Sequence, residues 1–585
     1  MKFRTLICSI LMGSIALVAG QVKSAPAPTT AATELPHLRK QGTATQLIVD
    51  GKPYLALAGE LLNSSATSLE YMKPVWPQLK AAKLNTVLAG VSWNQIEPQE
   101  GKFNFTVLDG IIQGARAQNL RLVLLWFGTW KNGLSSYPPD WVKKDIERFP
   151  RAQIVGGAWP VFGGTRYPVE GSLNVELLSP FGDASRDADA RAFAALMRHV
   201  KAVDGQQHTI IMIQVENEVG MQGDTRDRSP VANKAFDGPV PKELMDYIEK
   251  HKDTLIPVFR KMWEANGFKT SGTWEEVFGK GRPTDEVFMS WHFARYINRV
   301  IEAGKAEYPI PMFTNSPQTG FGRAPSRGQG GGPMPDAMDV WHAGGPRIDA
   351  LGGDMYSQNF VGDCIKYTQS GNPLIIPETS GGRGSGAKAL YAFGAHDAVL
   401  FSPFAIERWA GKDLELTNAY DLLSRLTPVM LAHQGDGTMS AVRFGPKDPP
   451  QKIKVGNYTL EASFLIPPGL RALPVPQETL PPAAAIFIAT GPDEFIVAGS
   501  AVKVVFTANT PGPPLVGLGT VEEGTFVNGR WVAGRQLAGD DTGQGDFLGL
   551  WGNWKSAGWP ADGTEGQNIF LRDMSIQRVT LYRYR

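Results

Sequence analysis

Cysteine is nearly absent. The 585-residue chain has two, Cys8 and Cys364. Cys8 falls in an N-terminal stretch expected to be removed, so the mature chain keeps one cysteine and no intrachain disulfide can form. The core must supply the stability alone. An excess of charge of either sign is missing too. Lys and Arg total 58 against 57 Asp and Glu, leaving a formal charge of +1. That excludes an electrostatic footprint for nucleic acid or an anionic membrane surface. Beyond the N-terminus no apolar run is long enough for a transmembrane helix. Among eight histidines there is no His-Glu-x-x-His and no close His/Cys cluster, so no metal is expected. A Gly-x-Ser-x-Gly elbow and a Gly-Lys-Ser/Thr phosphate loop are also lacking. No cofactor is expected, and neither nucleic acid nor membrane is an expected partner.

What is present begins with a targeting segment. Lys2 and Arg4 precede the apolar run 6–18, the pattern of a secretory signal peptide over 1–20. Residues 21–44, rich in Ala, Pro and Thr near their start, are expected as a flexible leader. A signal without disulfide-forming cysteines points to a periplasmic or secreted protein. Hydrophobic residues make up 42% and charged residues 20%, an ordinary globular composition. The length allows two or three domains. Fifteen Trp include the clusters Trp126/Trp130/Trp141 and Trp551/Trp554/Trp559. They suit either a core or the flat face of a sugar ring.

From residue 45 the chain alternates β-type runs with helical patterns. Apolar runs fall at 54–61, 85–91, 121–128, 209–217, 310–315, 348–356, 373–379 and 398–404. Near-continuous hydrophobicity is the mark of parallel strands buried on both faces. Amphipathic stretches such as 69–83, 107–119, 187–203 and 285–306 lie between them. Eight strands alternating with helices predict a (β/α)8 TIM barrel over 45–410. A doubly wound open sheet is the competing fold. It would want a Gly-rich first turn, and none follows 54–61. A helical connector is expected over 411–435, then a C-terminal all-β, sandwich-like domain over 436–585. The Gly-rich loop 320–335 reads as low complexity.

Two strand ends carry the chemistry. The run Ile211-Met212-Ile213-Gln214-Val215 ends in Glu216-Asn217-Glu218. The run Leu374-Ile375-Ile376-Pro377 ends in Glu378. Strand alternation would put Glu216 and Glu218 on one side and Asn217 on the other. Strand C-termini line the active site of such a barrel, and these ends follow the fourth and seventh strands, so they can face each other across the mouth. Each could instead be a solvent-facing or backbone-bonded polar end. As a pair, they suit a retaining glycosidase, whose two carboxyl groups stand roughly 5–5.5 Å apart. Trp130, Lys131 and Asn132 past the third strand, and Glu60 and Asn63 past the first, could bind sugar hydroxyls. His292 sits on a helical pattern and reads as structural.

Asn-Glu after the fourth strand and a lone Glu after the seventh resemble the large glycosidase clan built on this barrel. Within it the chain resembles glycoside hydrolase family 35, the β-galactosidases, over residues 45–410. The stretch 211–219 is similar to the family's acid/base strand, and 373–378 to its nucleophile strand. Trp93-Asn94-Gln95-Ile96-Glu97-Pro98 with Gly101 and Phe103-Asn104-Phe105 is similar to its Trp…Glu-Pro…Gly…Phe element. The resemblance implies Glu218 as acid/base, Glu378 as nucleophile, and Trp93, Glu97 and Asn217 as substrate contacts. It also implies that Tyr356 bonds the nucleophile, against the alternative of a plain core tyrosine. The sequence departs from the family at Gly59-Glu60-Leu61-Leu62-Asn63-Ser64-Ser65, where His, Tyr and Arg are missing, and at 126–133. The implied activity is a retaining exo-β-galactosidase acting on a galactose-containing glycan, with xyloglucan side chains as one expected source. Another retaining β-glycosidase or endo-glycanase of the clan is the alternative. A non-catalytic carbohydrate-binding protein is a third reading, but both glutamates are kept.

Overall fold

The computed structural model describes residues 34–155, 166–169, 172–317, 330–466, 480–551, 554–556, 570–572 and 574–585. The expected signal peptide, the leader as far as residue 33, most of the Gly-rich loop and Trp559 lie outside the described residues. Among the described residues no helix is long and apolar enough to cross a membrane.

Eight parallel strands form the expected barrel: β1 (Ala56–Glu60), β2 (Thr86–Ser92), β3 (Arg121–Lys131), β4 (Ile210–Asn217), β5 (Met312–Pro317), β6 (Ala350–Asp354), β7 (Ile375–Ile376) and β8 (Leu400–Phe401). They pair in the order β6-β5-β4-β3-β2-β1-β8-β7. The seam between β6 and β7 is closed by a parallel bridge between Met355 and Thr379. There Met355 N donates to Glu378 O at 2.8 Å, and the Thr379 hydroxyl donates to Met355 O at 2.7 Å. Leu88, Val123, Leu125, Ile211, Phe313 and Leu400 fill the barrel interior. The helices cover the outside. In α1 (Thr106–Ala117) the buried residues Leu108, Ile111, Ile112 and Ala115 recur at helical spacing.

The leader ends earlier than its composition implies. Residues His37–Gln41 pair with Ala44–Val49, which pairs with Lys52–Tyr54, in an antiparallel sheet. Leu47 and Val49 pack into the barrel's inner core. This sheet floors the barrel, and burying those two side chains orders a segment whose sequence has few apolar residues. The expected connector is likewise part of the barrel. Helix α5 (Leu414–His433) lies against the strands, and its buried Tyr420 hydroxyl donates to Ala58 O at 2.7 Å and Phe401 O at 2.9 Å.

The C-terminal part is a sandwich. Its six-stranded sheet runs Met439–Phe444, Ala483–Gly491, Glu494–Ser500, Ser575–Tyr584, Leu515–Val527 and Arg530–Leu537. Its four-stranded sheet runs Gln451–Val455, Tyr458–Phe464, Val502–Ala508 and Leu548–Leu550. One strand shows how it is held. Ala483, Ala485, Phe487 and Ala489 point into the sandwich. Ala484, Ile486 and Ile488 point the other way, into the core shared with the barrel helices. The sheet is therefore buried on both faces, at period two. Helix α4 (Ser385–His396) makes the joint, and Gly394 permits it. A Cβ there would lie 2.8 Å from Ala441 Cβ and from Ile486 Cγ1. Gly394→Leu should therefore lower the unfolding free energy by about 1–3 kcal/mol, read by urea denaturation. Wild-type stability would mean the joint is not close-packed.

Candidate active site

Strand β4 is buried from end to end, but its alternation breaks at the mouth. Glu216 and Glu218 both have positive φ, 61° and 45°, a region that costs a non-glycine residue about 1–3 kcal/mol. Asn217 and Glu218 therefore both reach the mouth, while Glu216 turns away toward the helix layer. The expectation that Glu216 and Glu218 share a side fails for this reason. Strand β3 bulges at the same level, with Val215 opposite Trp126 but Asn217 opposite Lys131. The N–H groups of Thr129 and Trp130, inside that bulge, donate to the Glu216 carboxylate at 3.0 and 2.6 Å. Asp189, on α2 (Asp183–Asp204), lies beside it. Asp189 accepts from Trp126 Nε1 at 2.8 Å and from the Thr129 hydroxyl at 2.7 Å. Burial pushes the Asp189 carboxyl up, and burial with the Asp189 charge pushes Glu216 well up. The two carboxyls thus stand together beneath the site, and each is displaced toward its protonated form.

Above it, one oxygen each of Glu218, Asp354 and Glu378 lie within 4.8 Å of one another. Glu378 receives Asn217 Nδ2 on one oxygen and the Tyr356 hydroxyl on the other, both at 2.9 Å. The Tyr356 ring stands half exposed at the rim, with its hydroxyl turned inward. Lys131 Nζ lies 3.9 Å from Glu378 and donates to Asn217 Oδ1 at 2.8 Å, which orients that amide toward Glu378. Burial pulls the Lys131 ammonium down, but Glu378, Glu218, Glu60 and Asp354 outweigh it and leave it raised. Burial first, and then Glu378, push the Glu218 carboxyl up to about 7. Such a group exists in both protonation states near neutrality.

Glu60 closes the first strand's side of the cluster. It is fully buried, and neither of its carboxyl oxygens has a hydrogen-bond partner. Burial, then Glu378, push it well up. Asn63 Oδ1 and Asn132 Oδ1 are also buried and unpartnered. Leaving such an atom unpaired costs about 1–3 kcal/mol, so each of these oxygens is an acceptor open to a donor. Six strand ends thus contribute: Glu60, Lys131, Asn217 with Glu218, Asn315, Asp354 with Tyr356, and Glu378.

Three expected contacts are used elsewhere. Glu97 is taken up by its own loop, accepting from Trp93 Nε1 at 2.8 Å and Gly101 N at 2.7 Å. Trp93 is fully buried, edge-on to Trp141. Trp130 is buried against Phe293 and Tyr296, with its Nε1 on Leu178 O. None of these three presents a free polar or flat surface to the mouth. His292 is structural, stacked among Phe181 and Phe288. The sequence reading missed Asn315, Asp354 and Glu407. Asn315 ends the apolar run 310–315 and Asp354 ends β6, so the polar strand-end rule applied to Glu378 would have found them. Glu407 carries no such signal. It accepts from Leu62 N and the Ser65 hydroxyl, fixing the loop that bears Asn63.

Residues 68–154 match the family described as Beta-galactosidase (Glyco_hydro_42), and residues 416–549 match a domain of unknown function (DUF5597). A Beta-galactosidase of Xanthomonas manihotis is 30% identical over 219 residues, 36% of this chain and 30% of that protein. The match spans less than a third of that relative. Among solved structures, the beta-galactosidase of Bacillus circulans sp. alkalophilus covers 64% of this chain at 17% identity and a TM-score of 0.43, over 57% of its own length. That of Marinomonas ef1 covers 65% at 13% and 0.41, over 61% of its own length.

A proton shared by Asp189 and Glu216 would have a testable sign. Both folded carboxyls lie above their ordinary values, so the pair's contribution is full below pH ~4 and shrinks as pH rises. Asp189→Asn keeps the shape and puts an N–H where the shared proton lies. It should gain stability relative to wild type between pH 5 and pH 8. Glu216→Gln sets an amide N–H against Thr129 N or Trp130 N and should cost about 1–3 kcal/mol at both values. Urea unfolding at the two pH values reads this, and parallel behaviour of the two variants would rule out the shared proton.

Proposed function

We propose that this protein is a glycoside hydrolase, a retaining exo-β-galactosidase with Glu378 as nucleophile and Glu218 as acid/base. One observation carries the reading: two buried carboxyl groups with oxygens within 4.8 Å, on opposed strand ends. That spacing suits direct attack. An inverting pair stands about 6.5–9.5 Å apart to admit a water. Glu378 attacks C1 while Glu218 passes its proton to the departing glycosidic oxygen. Water then attacks C1 of the glycosyl-enzyme as Glu218 takes a proton back. Asn217, Tyr356 and Lys131 complement the Glu378 carboxylate. The unpartnered oxygens of Glu60, Asn63 and Asn132 supply acceptors for sugar hydroxyls.

Galactose as the sugar is supported by the Beta-galactosidase family match over 68–154 and by the motif resemblance to glycoside hydrolase family 35. Terminal galactose on plant glycans, xyloglucan side chains among them, is the substrate class we favour. Export to the periplasm or beyond rests on the N-terminal segment.

Three measurements test this. Among aryl β-glycosides, galactosides should dominate by kcat/KM, and the first product should be the β anomer by NMR. Inert galactosides beside active glucosides would sink the sugar assignment. The basic limb of kcat/KM should fall near pH 7, because step one needs Glu218 protonated. Glu218→Ala should lose about 10²–10⁴-fold on an unactivated glycoside, far less on an activated aryl galactoside, and azide should then give the β-azide. Glu378→Ala should give the α-azide. Reversed anomers would falsify the two roles.

A further inference from the structure

Asp354 is a third carboxyl beside the pair, and the mechanism above gives it no task. It ends β6, is 1% exposed, and stands in hydrogen-bonding contact with the Glu218 carboxyl. Asn315 ties the two together. Its Nδ2 donates to both Asp354 oxygens, at 3.0 and 2.9 Å, and its Oδ1 accepts from Glu218 N at 3.0 Å. Asn315 therefore fixes the Asp354 carboxyl and the Glu218 backbone as one unit. A carboxylate at Asp354 would face two more carboxyl groups, and the one nearby ammonium, Lys131, is bonded to Asn217. A neutral carboxyl there would instead carry a proton it can donate.

We infer that Asp354 is a positioning residue for the acid/base, a protonated carboxyl whose O–H donates to Glu218 and stabilises the anion left when Glu218 gives up its proton. The inference rests on the retaining-glycosidase reading. As the C1–O bond breaks, the Glu218 proton goes to the departing oxygen, and the Asp354 proton stays on Asp354 while its hydrogen bond strengthens. In water-activated deglycosylation the sequence reverses. Burial, then Glu378 and Glu218, push the Asp354 carboxyl well up, while its bond to Glu218 pulls that group down. The ionisable groups facing the two are Glu378 from β7, Lys131 from β3, Glu60 from β1, Tyr356 past β6 and Tyr367 from α3 (Phe360–Tyr367).

The sign of two substitutions decides the matter. Asp354→Asn keeps the shape, the acceptor for Asn315 and a donor for Glu218, but cannot ionise. Asp354→Ala loses the donor. If Asp354 is a neutral donor, Asp354→Asn should leave the basic limb of kcat/KM in place. Asp354→Ala should move it up by about one pH unit and cut turnover of an unactivated galactoside about 10–100-fold. If Asp354 is ionised instead, both variants remove a negative charge beside Glu218, both limbs move down, and the inference is overturned. Carboxyl titration of Glu218 by ¹³C NMR, assigned by its loss in Glu218→Gln, reads the same shift without turnover. A wild-type protein inert on every glycoside would fail the functional reading while this titration still judged Asp354. An unmoved midpoint in Asp354→Ala, with the variant folded, would overturn the inference by itself.

Discussion

Four carboxyl groups crowd one buried ammonium at the mouth of the barrel. Glu60, Glu218, Asp354 and Glu378 all face Lys131, and the site cannot hold four negative charges against one positive one in a medium that solvates charge poorly. The excess is relieved by protons. The four differ in what each touches. Glu378 gathers an amide, a phenol hydroxyl and the ammonium. Glu60 gathers no bond at all. Glu218, between these extremes, is left near 7. Carboxyls of the same residue type are thus given different surroundings by their neighbours alone.

That differentiation depends on backbone strain. Asn217 reaches Glu378 and Glu218 reaches the mouth because the residues on either side of Asn217 are both in the left-handed region. Such a turn persists where surrounding groups over-determine it. Here the Glu216 carboxylate ties the β3 bulge to the end of β4, and Asp189 buttresses it from the helix layer. The same bulge delivers Lys131, so one buried acid pair outside the mouth sets the positions of the Lys131 ammonium, the Asn217 amide and the Glu218 carboxyl together. Gly128 belongs to this arrangement, because a Cβ there would lie 2.7 Å from Glu216 Oε1.

The periphery follows a plainer logic of coverage. The barrel floor is sealed by Leu47 and Val49 from the N-terminal sheet. Its flank at α4 is sealed by one face of the C-terminal six-stranded sheet. Strand Ala483–Gly491 therefore reads as a continuous apolar run although it is antiparallel: its two faces meet two different cores.

Much of this was legible in the sequence. Eight apolar runs gave eight parallel strands, because burial on both faces leaves a compositional mark that needs no tertiary information. Glu218 and Glu378 were legible for a related reason, since a hydrophobic strand that stops at a carboxylate marks the barrel's working end. The places of Glu60, Lys131, Asn217 and Tyr356 beside these carboxyls followed from the same strand-end position or from motif likeness. Trp93, Glu97 and Trp130 did not, because residue type cannot tell a sugar contact from a loop brace or a core ring. The floor strand His37–Gln41 was hidden because its order comes from the barrel it closes. The sequence by itself thus determined the strand count, the barrel and the two opposed glutamates, all of which depend on local pattern. Only the tertiary structure decided which way each strand-end side chain turns, which carboxyls crowd one another, and that Asp354 and Asn315 lie beside Glu218, because those depend on what lies across the mouth.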